Sequence, residues 1–449
     1  MDASFSYING SFKKSFVMDD LTELKNAAHE GVNALKCLTP QERSNHLKAI
    51  AFGIEKSKEE FVALISNEAK KTYFLSQAEV NRAIQCFLIA AEETLHWPEE
   101  SFQLESPLLA KPKMINRKSY PLGIVLGFTP FNFPLNLVAH KLAPALAAGC
   151  AVIIKPSPKT PQTATLLAKI ISETELPKGA FQLVNCNDEF AQKLLEDDFF
   201  DLFSFTGSDK VGWKIKQALN KKKVVLELGG TATAIVTEDA DLELALEKCL
   251  FGAFAYAGQV CIHTQHILVH QSLFKNFAKE FILKTKELNF ESLERTKFFN
   301  PMISEEAAIR VESWINEAIT EGAQVLCGGK HSGSLMEPTV LINVKHDSKL
   351  FNEEVFGPVV CLHSYNTKQE VIDFVNQSNY AIQASIFTKD IAHVSFWQEN
   401  LKMPNLIIND ATTFRHDNMP YGGIKDSGVG VEGIRYAMRE MLEFKSVIV

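Results

Sequence analysis

From residue 122 onward, short apolar runs alternate with segments whose apolar residues recur at helical spacing. Ala151-Val-Ile-Ile154 is one such run, and a helix is predicted to begin after Thr160-Pro161. Unbroken apolar strands alternating with amphipathic helices are typical of parallel sheets covered by helices on both faces. The alternation therefore predicts α/β architecture. The other predicted strands are Phe181–Val184, Leu202–Phe205, Val224–Leu228, Thr233–Val236, Ile267–His270, Val359–Leu362, Gln383–Phe387 and Leu406–Asn409.

The chain is too long for a single hydrophobic core. Its 449 residues predict two or three interleaved domains, and two parallel sheets would fill that length. Hydrophobic residues make up 46% and charged residues 22% of the sequence, which is ordinary for a globular protein and argues against long disordered segments.

The charge balance excludes several kinds of partner. A net charge of -8 provides no basic surface for nucleic acid or anionic membrane. The first thirty residues contain early acidic side chains and no apolar stretch of signal-peptide length, so we predict a cytoplasmic protein. The most apolar long window, 121–154, is interrupted by Pro130, Lys141 and Pro144, and no transmembrane segment is predicted.

Eight cysteines are scattered along the chain without a C-x-x-C pair. This spacing supports neither a zinc site nor a disulfide framework, so we predict no metal and mostly reduced thiols.

The region 40–95 is predicted to be helical. Thr39-Pro40-Gln41-Glu42 combines a capping threonine, a proline at the first helical position and a glutamate that closes a capping box. Leu47, Ile50 and Ile54 follow at helical spacing.

A glycine motif near the end of the chain suggests dinucleotide binding but lacks the necessary context. Gly428-Val-Gly430-Val-Glu-Gly433 matches G-x-G-x-x-G, yet no strand precedes it and no βαβ unit can follow. Two strand ends are better candidates. Lys155 ends an apolar strand, and Gly207-Ser208 opens a helix whose free N–H groups could receive a pyrophosphate. Taken alone, a Thr-Gly-Ser helix start is more often only a cap.

Three side chains could carry chemistry. Glu227 ends the apolar strand VVLEL before Gly229-Gly230, where burial would raise its pKa toward that of a general base. Cys261 offers a thiolate nucleophile, although a lone cysteine in such a setting is more often an inert core thiol. Asn132, between aromatic rings and prolines in PFNFP, could donate to an oxyanion, although an asparagine between prolines is usually a turn residue.

Together these residues resemble the aldehyde dehydrogenase superfamily. Seven landmarks appear in that family's order over about residues 120–440: GFTPFNFPLNL, KPSPKTP, FSFTGSDKVG, LELGG, GQVCI, EEVFGPVV and MPYGGIKDSGVGVEG. The C-terminal segment is most similar to the lactaldehyde dehydrogenase-like branch. The resemblance implies an aldehyde dehydrogenase-like fold with two Rossmann-like parallel sheet domains and a small β oligomerisation element.

The resemblance also assigns roles to individual residues. It implies that Cys261 is the nucleophile, Glu227 the base and Asn132 the oxyanion donor beside the backbone N–H of Cys261. Lys155 would contact the cofactor's ribose, Ser208 its pyrophosphate, and Glu354 and Phe356 its nicotinamide riboside. The full set of expected contacts to NAD or NADP is Thr129, Pro130, Phe131, Lys155, Ser157, Lys159, Gly207, Ser208, Val211, Leu228, Glu354 and Phe356.

The implied activity is the NAD(P)-dependent oxidation of a small aldehyde to its acid through a thiohemiacetal and a thioester. The presence of Glu227 favours release of the acyl group by water. A catalytically inactive nucleotide-binding homologue and a cofactor-independent hydrolase using the same thiol are the alternatives.

The sequence departs from the family pattern at two places that bear on specificity. Pro158 stands where many NAD-preferring members carry a glutamate that would repel a 2′-phosphate, so NADP or dual use is expected. His266 stands where relatives acting on anionic aldehydes often carry an arginine, which makes a phosphate or phosphonate substrate less expected. Arg415 and Arg435 are candidate contacts to an anionic substrate, and each is also explained by a structural ion pair.

The resemblance further predicts domain boundaries and assembly. Residues 1–100 and 121–228 would form the cofactor-binding domain, 229–430 the catalytic domain, and 101–120 with 431–449 an oligomerisation element. We expect a homodimer or homotetramer, because exposed strand edges are stabilised by pairing with another chain.

Overall fold

Two helix-covered sheets form the body of the protein in the computed structural model, which describes residues 5–14, 21–96, 98–106, 111–288 and 298–449. The helices are α1 Thr22–Cys37, α2 Pro40–Lys56, α3 Lys58–Glu68, α4 Tyr73–Glu93, α5 Asn136–Ala148, α6 Pro161–Ser172, α7 Asp188–Glu196, α8 Asp209–Leu219, α9 Leu242–Phe254, α10 Gln271–Glu287, α11 Glu305–Thr320, α12 Lys349–Asn352, α13 Lys368–Gln377, α14 Ala392–Asn400 and α15 Ile434–Glu440.

The strands are β1 Phe5–Ile8, β2 Ser11–Lys14, β3 Glu100–Leu104, β4 Lys113–Pro121, β5 Ile124–Phe128, β6 Ala151–Lys155, β7 Phe181–Leu183, β8 Leu202–Thr206, β9 Lys223–Glu227, β10 Ala232–Val236, β11 Thr264–His270, β12 Gln324–Cys327, β13 His331–Ser332, β14 Leu335–Met336, β15 Thr339–Ile342, β16 Val359–Tyr365, β17 Tyr380–Ala381, β18 Gln383–Phe387, β19 Asn405–Ile408, β20 Ile424–Lys425, β21 Gly428–Val429 and β22 Leu442–Ile448.

The first sheet has the order β2-β1-β7-β6-β5-β8-β9-β21. Its five central strands, β7 to β9 in that order, are parallel. From β5 the chain builds outward through β6 and β7 on one side, and then crosses to build β8 and β9 on the other. The order therefore reverses between β5 and β8, and ligands bind outside the carboxyl ends of strands at such a switch point.

The second sheet has the order β12-β15-β16-β11-β10-β18-β19. All neighbours are parallel except β12, which runs antiparallel at the edge. Helices α9, α10 and α11 pack on it through an apolar core that includes Phe254, Phe277 and Ile315. The predicted α/β class with two parallel sheets is confirmed.

The glycine motif near the end of the chain lies at the edge of the first sheet. β21 pairs antiparallel with β9, placing Gly428 opposite Glu227. Because this pairing is antiparallel, the motif is not the first turn of a βαβ unit. This agrees with the sequence analysis, which rejected the motif as a dinucleotide-binding turn.

A third, separate sheet has the order β22-β4-β3. All its pairings are antiparallel. Part of the predicted hairpin segment, 107–110, lies outside the described residues. The predicted oligomerisation element also includes 431–449. Helix α15 lies in that segment and buries Ile434 and Met438 in the core of the first sheet. The sheet also exposes large apolar side chains, namely Phe102, Leu104, Met114, Tyr120, Phe444, Val447 and Ile448.

No helix within the described part of the chain combines the length and the apolar character needed to span a membrane.

Helix α1 packs on the first sheet at a point of very close backbone contact. A Cβ atom on Gly31 would lie 2.3 Å from the carbonyl carbon and oxygen of Gly179. A Cβ on Gly179, whose φ is +82°, would lie 2.1 Å from the carbonyl oxygen of Ala27. The two glycines therefore let the helix reach the loop that leads into β7.

We predict that Gly31→Ala destabilises the protein by about 2 kcal/mol or more and lowers its melting temperature by about 2 °C or more, because backbone cannot move aside as a flexible side chain can. Asn33→Ala, on the exposed face of the same helix, is the matched control and should not lower it. Equal melting temperatures for Gly31→Ala and the wild type would contradict this packing.

Candidate active site

A cavity of about 450 Å³ opens at the carboxyl ends of β5, β8 and β9, between the two large sheets. The three predicted catalytic residues, Cys261, Glu227 and Asn132, all line it. So do seven of the predicted cofactor contacts, namely Pro130, Phe131, Gly207, Ser208, Leu228, Glu354 and Phe356. Residues from five separate stretches of chain thus meet in one place.

Cys261 follows a left-handed turn. Tyr256, Ala257 and Gly258 have φ values of 53°, 50° and 67°, and the first two are conformations that L-residues rarely adopt. The phenol of Tyr256 donates to the carbonyl oxygen of Ala69 at 2.7 Å, which ties the turn to the N-terminal helices.

A buried ion pair supports this turn from the N-terminal side. Lys71 Nζ lies 2.5 Å from Glu79 Oε2 and stands 4.6 Å from the ring centroid of Tyr256. The other oxygen of Glu79 accepts from the backbone N–H groups of Leu135 and Asn136. One pair therefore positions both the start of α5 and the turn that carries Cys261.

The thiol of Cys261 is half-buried, and its Sγ lies 3.1 Å from the hydroxyl of Tyr421. Burial raises the pKa of Cys261 to about 11, against the hydrogen bond with Tyr421 and the positive charge of Arg415, which lower it. At neutral pH the resting side chain is therefore mainly a thiol.

Glu227 ends β9, with its backbone between β8 and β21. Its Oε1 is buried and has no hydrogen-bond partner in the described part of the chain. Burial, followed by the negative charge of Glu432, raises the pKa of Glu227 well above its ordinary value, while Arg415 and Lys141 oppose the shift. Ionisation of Glu227 is therefore less favourable than that of an exposed glutamate, and its carboxylate, once formed, is the stronger base.

A chain of three buried charges runs beside Glu227. The carboxylate of Glu432 accepts from Lys141 Nζ at 3.1 Å through one oxygen and from Arg415 Nη2 at 2.9 Å through the other. Lys141 also donates to the hydroxyl of Ser204 at 2.9 Å. Burial alone would raise the pKa of Glu432, but the two cations hold it well below its usual range.

Sequence reasoning did not assign a role to Lys141 or Glu432. Lys141 stood in the apolar run LVAHKLAPALAA, and a lysine inside a buried helix is rare unless it is paired. That position was the available signal. No local pattern indicated its partner, which lies 291 residues away in the sequence.

Arg82 is another residue that sequence reasoning missed. It lines the cavity and forms an ion pair with Asp417. Asp417 Oδ1 also contacts His140 Nε2 at 2.8 Å. The Cys86 thiol, His140 and Asp417 could in principle ligate a metal ion, since their ligand atoms lie within 4.8 Å. The guanidinium of Arg82 already neutralises the carboxylate of Asp417, which disfavours a second cation there.

Asn132 is buried, and its Nδ2 donates to the carbonyl oxygen of Gln259 at 3.0 Å. This bond joins the loop after β5 to the turn before Cys261. An amide nitrogen carries two hydrogens, so one N–H remains for a ligand. The predicted role as oxyanion donor stays a prediction.

A second cavity, of about 790 Å³, continues the first along the carboxyl ends of β5, β6 and β8. The two cavities share Pro130, Thr206 and Gly207. Four more predicted cofactor contacts, Thr129, Lys155, Ser157 and Val211, line this second cavity. We call the two cavities together the long groove, which has room for an extended ligand.

Lys159 is the one predicted cofactor contact that lines neither cavity. It is exposed, and its Nζ stands 5.2 Å from the ring centroid of Phe131. Its backbone N–H donates to Ser157 Oγ at 3.2 Å, so the chain turns immediately after Ser157.

Glu354 and Phe356 close the long groove on the side of the second sheet. Glu354 Oε1 accepts from the backbone N–H of Gly230 at 3.1 Å. Burial raises the pKa of Glu354 to about 8. Phe356 has a left-handed φ of 43° and meets the ring of Phe131 edge to face at 6.1 Å.

Of the two arginines predicted as contacts to an anionic substrate, only Arg415 reaches the cavity. His266 lies in β11, where its Nδ1 is 3.2 Å from His363 Nε2 and its ring packs on Phe351. Arg435 is exposed on α15 and lies 3.6 Å from Glu93. Neither of these two side chains lines either part of the long groove.

Residues 16–447 match the model of the family described as "Aldehyde dehydrogenase family". The chain belongs to the aldehyde dehydrogenase family. This confirms the assignment made from the seven sequence landmarks, and the protein is accordingly an aldehyde-oxidising oxidoreductase.

Individual relatives match over nearly the whole chain. A 3-sulfolactaldehyde dehydrogenase of Priestia megaterium is 38% identical, in an alignment that covers 98% of this chain and 97% of the relative. A lactaldehyde dehydrogenase of Methanococcus maripaludis is also 38% identical, and the alignment covers 96% of this chain and 93% of the relative. A glyceraldehyde-3-phosphate dehydrogenase of Methanocaldococcus jannaschii, solved in complex with NADP, superposes with a TM-score of 0.91 at 36% identity, over 100% and 99%.

The raised pKa of Cys261, the predicted nucleophile, indicates that aldehyde oxidation is faster in alkaline solution. As the pH rises from 7 to 9, a larger fraction of Cys261 becomes thiolate. Well below its pKa, a single required ionisation raises the rate about tenfold per pH unit, so kcat/KM should rise at least tenfold over this interval. Steady-state rates at constant ionic strength measure it, and a flat profile would contradict it.

Proposed function

We propose that this aldehyde dehydrogenase oxidises a small, hydroxylated or anionic aldehyde to its carboxylic acid, using Cys261 as nucleophile, Glu227 as base and NAD or NADP as acceptor. The observation that carries the proposal is that Cys261 and Glu227 line one cavity that continues into a groove of dinucleotide size.

The residues of the long groove fit a dinucleotide. Ser208 precedes α8 and makes no capping hydrogen bond of its own, so the first N–H groups of that helix are free to receive a pyrophosphate. Thr129 Oγ1 is buried in the same region and has no partner among the described residues. Lys155 would hold the adenosine ribose, and Glu354 with Phe356 would hold the nicotinamide end.

The first chemical step is attack of the Cys261 thiolate on the aldehyde carbon, which gives a thiohemiacetal. Asn132 and the backbone N–H of Cys261 would donate to the oxygen that becomes negative. Glu354 and Phe356 would hold the nicotinamide, which would supply the oxidation as the acceptor of a hydride. Cys261 then carries the acyl group as a thioester.

The second step is hydrolysis. Glu227, once deprotonated, takes a proton from water, the water oxygen attacks the thioester carbon, and the acid leaves as the Cys261 thiolate is regenerated. The position of Glu227 at the end of β9, with an unpartnered buried oxygen, supports this role. The charges of Lys141, Glu432 and Arg415 lie beside Glu227 and would set the balance between its protonated and ionised forms.

We propose that the enzyme accepts NADP, alone or together with NAD. Pro158 lines the second cavity where a glutamate would repel a 2′-phosphate, and Lys155 and Lys214 line the same region. The relative from Methanocaldococcus jannaschii was solved with NADP, which supports this choice.

The cations in the cavity support the proposed substrate class. Arg415 Nε is buried with no partner in the described chain, and Arg82 lines the same space. A guanidinium binds carboxylate, sulfonate or phosphate oxygens well. Relatives named for 3-sulfolactaldehyde and lactaldehyde support an aldehyde of this size with a hydroxyl or anionic group.

We further propose a cytoplasmic homodimer or homotetramer. Association is supported by the apolar side chains and free edges of the β22-β4-β3 sheet. The compartment is supported by the eight cysteines, all of which are free thiols.

The first test is reduced-nicotinamide absorbance with lactaldehyde, glycolaldehyde, 3-sulfolactaldehyde and glyceraldehyde-3-phosphate, each with NAD and with NADP. We expect turnover with at least one aldehyde, higher kcat/KM for the anionic ones, and loss of turnover in Cys261→Ala. Cys37→Ala removes an exposed thiol and should retain full activity. Nucleotide binding without turnover across the panel would instead identify a non-catalytic homologue.

The role of Glu227 predicts a separation of the two steps. Glu227→Gln should form about one equivalent of reduced nicotinamide per subunit and then stall as a thioester, with kcat lowered on the order of 10² to 10⁴-fold. Intact-protein mass spectrometry would detect the acyl group on Cys261. Glu243→Gln, on the exposed side of α9, is the control. Full steady-state turnover by Glu227→Gln would refute the assignment.

A further inference from the structure

Tyr421 places a hydroxyl beside the sulfur of Cys261. The two atoms are 3.1 Å apart, which is hydrogen-bond distance when sulfur takes part. Tyr421 belongs to the MPYGG landmark, but no role was predicted for its hydroxyl. It is 2% exposed and packs against Ile262 and Ile382, so the ring fills an apolar pocket around the thiol.

Backbone hydrogen bonds also hold Tyr421 in position. The N–H of Tyr421 donates to the carbonyl oxygen of Glu432 at 3.0 Å, and the N–H of Glu432 donates back at 2.6 Å. Glu432 is itself anchored by Lys141 and Arg415. The phenol is therefore held by the same residue that holds the buried cations.

Arg415 makes this phenol a better donor. Its guanidinium carbon lies 3.8 Å from the centroid of the Tyr421 ring, within cation–π range. A cation on the ring face draws electron density from the ring and polarises the O–H bond toward an acceptor. Burial meanwhile raises the pKa of Tyr421 well above its usual value, so the phenol keeps its proton throughout the working range of pH.

The direction of the hydrogen bond follows from the chemistry of sulfur. A neutral thiol is only a weak donor and a weak acceptor, whereas a thiolate can only accept. Hydrogen bonds to ionised groups are also the stronger ones. The bond from Tyr421 therefore strengthens when Cys261 ionises, and it stabilises the nucleophilic form relative to the thiol.

We propose that Tyr421 is a further catalytic residue, whose hydroxyl donates a hydrogen bond to the Cys261 thiolate and thereby orients the sulfur and increases its ionised fraction, with Arg415 polarising the phenol from the ring face. This inference rests on the proposed role of Cys261 as nucleophile. The hydroxyl transfers no proton and is unchanged at the end of turnover.

The test measures the thiol itself. We would follow carbamidomethylation of Cys261 by iodoacetamide between pH 7 and 9.5, in the full-length enzyme without nucleotide, by mass spectrometry of the peptide that contains it. Exposed Cys37 serves as an internal reference in each sample. The variant is Tyr421→Phe, which keeps the ring. Tyr365→Phe is the matched control, because its hydroxyl is also buried but bonds to the carbonyl oxygen of Val236 instead.

We expect the alkylation rate of Cys261 to fall about three- to tenfold at each pH in Tyr421→Phe. A lost hydrogen bond to a charged group shifts a pKa by roughly one to two units, and the greater nucleophilicity of the more basic thiolate recovers part of the rate. The rate for Cys37, the melting temperature and the rates in Tyr365→Phe should stay at wild-type values. kcat/KM for the aldehyde should fall by a similar factor, with KM for the nucleotide unchanged.

An unchanged alkylation profile of Cys261 in a folded Tyr421→Phe enzyme would overturn the inference. If Phe at this position lowered the melting temperature, the thiol would be measured again in Tyr421→Leu and Tyr421→Trp, and an alkylation rate that tracked stability rather than loss of the hydroxyl would also overturn it. Alkylation does not depend on turnover, so this result is separate from failure of the proposed function, which Cys261→Ala and the aldehyde panel decide.

Discussion

The carboxylate of Glu432, held between Lys141 and Arg415, is the interaction on which the rest of the active site depends. Three charges taken out of water are tolerated only when each is paired, and removal of one partner of such a group typically costs about 3–5 kcal/mol. The pairing joins α5, under the first sheet, to the loop that carries Arg415 and to the segment after β21. It also sets the electrostatic environment of Glu227 and orders the backbone of Tyr421. Structural support and catalytic tuning are thus provided by the same buried ions.

Much of the fold could be predicted because the central strands are mainly apolar. β6, β10 and β18 are buried along their full length, and their predicted limits differ from the observed ones by no more than one residue. Helix α2 begins at the predicted capping box. Helix α1 was not predicted, because its buried face is built partly from Ala27, Ala28 and Gly31, which carry little hydrophobic signal. Short pairs such as β13 with β14 have only two residues each and leave no periodic pattern.

Part of the candidate site could likewise be predicted from the sequence, and part could not. Cys261, Glu227 and Asn132 belong to landmarks whose order along the chain can be recognised, and the fold brings all three to one cavity. The contacts that tune them could not be predicted, because they join residues far apart in sequence. Tyr421 reaches Cys261 across 160 positions, and Arg82 reaches Asp417 across 335. His266 illustrates the opposite case, since relatives that act on anionic aldehydes often carry an arginine at its position, whereas its own side chain packs among aromatic rings on β11.

The turn at residues 256–258 gains its support from the N-terminal helices, and this has a consequence for recombination between relatives. Two non-glycine residues in left-handed conformations cost on the order of 1–3 kcal/mol each, and Lys71 and the carbonyl of Ala69 contribute the contacts that stabilise Tyr256. The proposed nucleophile is encoded in one half of the gene and its conformational support in the other. A chimera that exchanged the first hundred residues with those of a family member would therefore keep Cys261, yet would retain the support of its turn only if the donor also supplied the Lys71 and Glu79 pair.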